Sequence, residues 1–335
     1  MLSCPIKSLL VLIRPVTDIS GLIYVPSQNE PIDQSMIRFK GRSALKQYIP
    51  QKPIKQSYKV WLHADESSYV CQFQVYTGTV GVSVEKDLGK RVVTDLTCTL
   101  VGRSSCIFIP FFNLVELQKQ LQSELIYACG TVRKGRKNLP INLKEDSKMK
   151  RTESEWWISL DGLSFLKWKD RKAVHFLSNY LDFAKRIERD NSKQEISCSK
   201  LVCQCNKRMG YVDTFDMYKA KYGIDYKSQK WWHRIFWYFS DMIVVNAFII
   251  FKKGSVSSAN IRSLKDFKMA VALGLVGAEK DTTKSDRHRL LKLQFRIKLG
   301  TVPVVVCPFI AFPQDVLFAV PGLVRIELDG CVQGT

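Results

Sequence analysis

The chain has 335 residues, 46% hydrophobic and 11% aromatic, enough apolar content to exclude a wholly disordered polypeptide. Its 51 Lys and Arg against 31 Asp and Glu leave a net charge of +20. That imbalance favours a polyanionic partner, nucleic acid first and an anionic membrane surface second, because each neutralised phosphate releases counterions. Ten cysteines are scattered, several inside apolar runs, which argues for buried free thiols in a reducing compartment rather than a disulfide framework.

Residues 1–30 are weakly patterned. The apolar run SLLVLI at 8–13 is cut by Arg14 and Pro15, too short for the core of a secretory signal. Residues 32–39 read as an extended segment followed by a turn at Gly41. Two more follow at 58–63 and 69–77, split by a polar turn at 64–68. Leu88, Val92, Leu96 and Leu100 recur every four residues and predict a helix within 85–100. The run CIFIPFF at 106–112 predicts a buried strand, and 114–121 an amphipathic helix. The order β-β-β-α-β-α is that of an RNase H-like core.

A different block spans 126–196. It opens on the basic, turn-rich loop TVRKGRKNLP. Between Arg133 and Arg151 lie eight basic residues (Arg133, Lys134, Arg136, Lys137, Lys144, Lys148, Lys150, Arg151) and two acidic ones. Short strands are expected at 156–160, 163–168 and 173–178, around turns at Asp161-Gly162 and Lys169-Asp170. The charged stretch 182–195 reads as a solvated linker. Helix returns at 213–222, ended by Gly223, and over 227–253, with one more helix within 254–280. The apolar run 235–251 is 17 residues long and holds Asp241 and Asn246, so a core helix is preferred to a membrane span. Beyond about residue 298 the text turns Pro-rich and strand-like, with little charge.

The stretch IDQSMIRFKGRSALKQYIPQKPIKQSYKVWLHAD, residues 32–65, resembles the piggyBac transposase family, specifically the piggyBac-derived proteins. The similarity continues through GTVRKGRKNLP (130–140), LSFLKWKDRKAVHFLS (163–178) and MGYVDTFDMYKAKYGIDYKSQKWWHRIFWYF (209–239), in one order along the chain. The resemblance implies an α/β, RNase H-like DDE transposase core with an inserted small β-rich domain. On that basis the chain divides into an unassigned stretch at 1–17, the first part of the core at 18–125, the insert at 126–196, the helical remainder of the core at 197–280, and an unrelated tail at 281–335. The cysteine-rich recognition module usual in the family is expected to be absent.

The family chemistry uses three Asp residues to hold two divalent ions, Mg²⁺ or Mn²⁺, for in-line attack on a phosphodiester. The resemblance assigns the first to Asp33, with Gln34 in place of the usual Glu. It assigns the third to Asp213 in MGYVDTFD, with Asp216 as a possible accessory and Tyr211 where Gly is usual. The second falls on Ile109, followed by Pro110. Ile offers no oxygen, so the triad is expected to be degenerate, and Glu116, Asp95 and Asp161 lie on other elements. Outside the family pattern, Asp33 reads as a turn or ion-pair residue, and Asp213 and Asp216 as acids suited to a helix N-terminus.

The favoured expectation is a transposase-derived protein without nuclease chemistry, binding DNA weakly and largely without sequence preference through Arg133, Lys134, Arg136 and Lys137. The alternatives are an active transposase or nuclease with a substitute acid, and a protein- or chromatin-interaction module. A nuclear location, no membrane association and, by family resemblance, a dimer complete the expectation. Any residual activity would need Mg²⁺ or Mn²⁺, held at best by Asp33 and Asp213. Cys198-x4-Cys203-x-Cys205 has the look of a metal motif but is read as free thiols. The tryptophan pairs 156–157 and 231–232 suggest base stacking, against which core packing is preferred for the second.

Overall fold

The computed structural model describes residues 24–50, 52, 54–77, 87–102, 106–109, 112–180, 185–189, 195–224, 230–254 and 263–276. The N-terminal stretch, Pro110 and the tail beyond 276 lie outside them. The chain forms two compact units, Pro26–Met217 and a second made of Met1–Val25 with Tyr218–Thr335.

In the larger unit the elements are β1 (Asn29–Arg38), β2 (Gln47–Tyr48), β3 (Gln56–Ala64), β4 (Val70–Val75), α1 (Leu88–Thr97), β5 (Cys106–Phe108), α2 (Val115–Ser123) and β6 (Tyr127–Val132). Then come β7 (Ser154–Ile158), β8 (Ser164–Lys169), β9 (Ala173–Ser178), β10 (Lys185–Arg189), β11 (Glu195–Ser199), α3 (Lys200–Arg208) and α4 (Tyr211–Lys221), the last crossing into the second unit. The main sheet runs β2-β3-β1-β5-β6-β9-β8-β7, with β4 also on β3. β1 is antiparallel to β3 and parallel to β5, and β5 is parallel to β6. An antiparallel trio joined to two parallel strands is the RNase H-like arrangement anticipated above.

Side-chain alternation divides the sheet into two buried faces. On one, Ile32, Trp61, Ile107 and Ile109 pack with Val92 and Leu96 of α1 and with Leu117 and Leu121 of α2. On the other, Cys106, Phe108, Cys129 and Phe176 pack under Leu201, Val202 and Cys205 of α3. The helical spacing read in 85–100 and 114–121 therefore did mark faces turned to a core.

β6 was grouped by sequence with the inserted block, yet it pairs in parallel with β5 and carries the sheet on without a break into β9. Its Gly130 is there for space: a Cβ at that position would lie 2.0 Å from the carbonyl oxygen of Ile109. Two buried carboxamides fix this junction. Asn113 Nδ2 donates to the carbonyls of Gly130 (2.9 Å) and Leu177 (3.0 Å), and its Oδ1 accepts from Gln118 Nε2 (2.8 Å). Asn179 Oδ1 accepts from the Ala128 amide (2.7 Å) while its Nδ2 donates to Ile126 O (3.0 Å).

The expected solvated linker at 182–195 is corrected: β10 and β11 form an antiparallel two-stranded sheet, with Arg189 opposite Glu195 and Ile187 opposite Ser197. Charge density concealed a pairing register that the sequence did not announce. α3, inside the stretch 197–280 expected to be helical, starts at the N-cap Ser199, whose Oγ accepts from the Leu201 amide at 3.3 Å.

In the second unit, α5 (Trp231–Lys253) packs on α6 (Leu264–Val276) through Phe248 and Phe251 against Phe267. α5 is long and apolar enough to cross a membrane by length and composition, and half of its most apolar window is buried within the protein. Its buried Asp241 accepts from Lys268 Nζ (2.7 Å) and from the Ile224 amide (2.9 Å). Those are the contacts of a helix packed in protein.

Candidate functional site

β1 alternates along its length, so Ile32 enters the core beneath α1 and α2 while Asp33 and Ser35 face the opposite side. There Ser35 Oγ donates to Asp216 Oδ1 at 2.6 Å, tying the middle of α4 to β1. Asp213 and Asp216 lie three residues apart on α4, neighbours on one helix face. Asp33 is part-buried and accepts from the Gln34 amide at 2.7 Å. Its carboxyl is pushed up from an ordinary 3.8 to about 6, first by burial and then by the charges of Asp213 and Asp216, against the Gln34 amide and Lys52. Asp33, Asp213 and Asp216, the three acids named from sequence, thus share one electrostatic neighbourhood.

Ile109 does not join them. It is fully buried, its amide donates to Cys129 O at 2.9 Å, and its side chain belongs to the cluster of Ile32 and Ile107. That cluster occupies the sheet face opposite Asp33. Ile109, which the resemblance was expected to place at the second acid position, contributes to the core, and the acids weighed as substitutes are engaged elsewhere. Glu116 accepts from Asn138 Nδ2 (2.8 Å), Asp95 pairs with Arg91 (2.8 Å), and Asp161 pairs with Lys119.

A divalent ion would need hard oxygen donors converging in near-octahedral geometry. Among the described residues no three His, Cys, Asp or Glu side chains are so arranged. Asp213 is exposed, and one oxygen of Asp216 is taken by Ser35. The residues present do not fit a two-ion DDE centre.

The basic residues gather at one end of the sheet. Pro31 pairs with Phe108, and Phe108 with Cys129, so Asp33 on β1 stands level with Thr131 on β6, two strands away. At about 4.8 Å per strand that is roughly 10 Å. Two residues further along β6 the chain enters the loop of Arg133, Lys134, Arg136 and Lys137, turned at Gly135 with φ 80° and the Arg136 amide bonded to Arg133 O. Arg133, Lys134 and Lys137 are exposed, and Arg136 is partly buried.

β9 and β8 bring the turn at 169–172 to the same end, with Arg171 and Lys172 exposed. Sequence reasoning missed these two; the turn was legible, but not the end of the sheet to which it belonged. Several cations in the run 144–151 are already paired: Lys144 with Glu153, Lys148 with Glu145, and Arg151 with Asp170. Beneath them Lys167 is buried and pairs with Asp146 at 2.7 Å, while Lys169 Nζ donates to Asp146 O, holding the segment on β8. Lys134, Lys137, Arg171 and Lys172 have no ion pair among the described residues and are the cations open to a polyanion.

An RNase H-like sheet carrying an acid on its first strand and two more on a later helix is the framework of a DDE transposase. The family described as Transposase IS4 matches residues 11–248, and the chain belongs to it. Human PiggyBac transposable element-derived protein 3 is 25% identical over 245 residues, 68% of this chain and 41% of that protein. Human PiggyBac transposable element-derived protein 2 is 24% identical over 285 residues, 79% of this chain and 47% of that protein. The chain thus spans under half the length of these curated relatives. Among solved structures, a piggyBac transposase in a synaptic complex with hairpin DNA superposes with a TM-score of 0.68 at 22% identity, covering 90% of this chain and 65% of that one.

Proposed function

We propose that this chain is a piggyBac transposase-derived DNA-binding protein that no longer cuts DNA. The observation that carries the proposal is the divorce of Ile109 from Asp33: the second acid position packs on the far face of the sheet, where no carboxylate belongs. Asp33, Asp213 and Asp216 remain as a cluster without the third metal-facing oxygen donor that two-ion phosphoryl transfer needs. Asp33 accepts a hydrogen bond from the Gln34 amide, and Asp216 one from the Ser35 hydroxyl.

Binding is assigned to the basic sheet end. Exposed Lys134 and Lys137 in one loop and Arg171 and Lys172 in the neighbouring turn present a run of cations that suits phosphates. Phosphate contacts fix position without reading sequence, so the affinity should be weak and largely sequence-independent. The transposase with the similar fold was solved on hairpin DNA, which supports a duplex partner. A DNA partner also makes a nuclear location part of this reading.

The test uses the full chain and short duplexes with and without TTAA, the target sequence that the piggyBac resemblance implies. Fluorescence anisotropy across a salt series should give similar affinities for both duplexes and a steep salt dependence. Incubation with Mg²⁺ or Mn²⁺ should leave the strands intact on a denaturing gel. Metal-dependent nicks or hairpins that disappear in Asp33→Ala would restore the nuclease reading. Salt-insensitive binding, or none, would favour a protein-interaction module.

A further inference from the structure

The cysteine motif of α3 (Lys200–Arg208) has a partner that its spacing did not reveal. Cys205 Sγ lies 3.4 Å from Cys129 Sγ on β6, across 76 residues of sequence. Both side chains are fully buried, and both are free thiols. Cys106 on the adjacent strand β5 belongs to the same cluster, and Tyr180 packs against it. None of these sulfurs is needed by the acid site or by the basic sheet end.

We propose that Cys129 and Cys205 form a dithiol modification site, oxidised to a disulfide by a small disulfide reagent of the glutathione class. The sulfurs already touch, and closing to a bond of about 2.05 Å asks for a shift of little more than an ångström. The step balances. One thiol, deprotonated, attacks the reagent's S–S bond and expels one reagent thiolate, giving a mixed disulfide. The second protein thiol then displaces the other reagent thiol. The protein gives up two electrons and two protons, and the reagent leaves as two thiols.

Burial raises the Cys129 thiol well above its usual range, so attack waits on local opening of α3 from the sheet. Access therefore makes the reaction slow, while proximity makes it selective. The bond would tie α3 to the strand beside β5, just ahead of α4, whose Asp213 and Asp216 face Asp33.

The test exposes the reduced full chain to millimolar glutathione disulfide, denatures it in N-ethylmaleimide and maps peptides by mass spectrometry. The expected result is a Cys129–Cys205 cross-linked peptide, about 2 Da lighter than the sum of its two reduced halves. Exposed Cys98 serves as the control for reagent activity. Oxidation should also raise the thermal midpoint by several degrees, an increase absent from Cys129→Ser and Cys205→Ser and kept by Cys106→Ser. Should a serine variant fail to fold, the peptide map of the unsubstituted chain decides. Cys129 and Cys205 both recovered alkylated while Cys98 is modified, or a bridge from either to Cys106, would overturn the assignment.

Discussion

Replacing Ile109 by Asp separates two accounts of the strand end. If position 109 were a vacated ligand site, the change would rebuild a metal centre with Asp33. The structure instead places this side chain at 0% exposure among Ile32, Ile107 and Leu117. Losing the buried isoleucine costs about 2–3 kcal/mol in transfer alone. An introduced carboxyl in that setting has its pKa raised by about 3–5 units. At about 1.4 kcal/mol per unit, taking up a proton at pH 7, about three units above its unfolded pKa, costs a further ~4 kcal/mol. The sum, roughly 6–7 kcal/mol, rivals the ~5–15 kcal/mol that holds a typical domain together.

Urea unfolding followed by tryptophan fluorescence should therefore show little or no cooperative transition for Ile109→Asp at pH 7. Ile109→Val, which removes one methylene, should cost only about 0.5–1.5 kcal/mol. The sign of the pH effect is fixed: a raised folded-state pKa leaves stability intact below the unfolded value near 4 and removes it as pH rises. Part of the deficit should thus return at pH 4. A variant that unfolds like the parent at pH 7 and gains stability on adding Mg²⁺ would refute this reasoning, because it would put position 109 beside Asp33.

Asp33→Asn should stabilise the chain at pH 8 by about 2 kcal/mol, the shift from 3.8 to about 6 discounted for partial exposure, and the gain should vanish below pH 4; denaturation at pH 4, 6 and 8 checks it. Replacing Arg133, Lys134, Arg136 and Lys137 together by Gln should weaken duplex binding equally for all sequences and flatten the log-log salt slope by up to about four units. Arg171→Gln with Lys172→Gln should remove up to about two more, and an unchanged slope in both would take DNA off this sheet end. Asn113→Ala strands the carbonyls of Gly130 and Leu177 and should cost about 2–4 kcal/mol, read as a shift in urea midpoint with an unchanged slope.

The strands of the first hairpin and the helices over 88–97 and 115–123 were legible because each buries one face, and alternation or four-residue spacing records that face directly. The strand at 173–178 was legible to the residue. β6 was not, since Tyr127–Val132 holds a glycine forced by the approach of the Ile109 carbonyl, and its short run lacks a strand's usual signature. The orientation of Ile109 was illegible for a deeper reason. It depends on the parallel register between β1 and β5, set by elements about 70 residues apart, and a one-residue change in that phase moves a side chain to the other face. Asp33, Asp213 and Asp216 could be named from the family pattern, but the Ser35 bond and the opposite placement of Ile109 belong to tertiary structure. The Cys129–Cys205 contact was hidden in the same way, half of it in a strand the sequence did not announce.

The fate of the three carboxylates follows from what each part of the sheet demands. A core accepts any apolar residue of suitable volume, so an isoleucine after β5 strengthens the packing under α1 and α2. A two-ion site tolerates almost nothing, because its ligands must converge within tenths of an ångström. Like charges gathered beside β1 are accommodated by the protein's own groups. Asp33 leans on the Gln34 amide and a raised pKa, Asp216 on the Ser35 hydroxyl, and Asp213 on exposure to water. The hydrogen bonds offset the repulsion locally, and the Ser35 bond occupies one oxygen of Asp216. Those hydrogen bonds steady this corner of the fold, and among the described residues no three ligating side chains converge there.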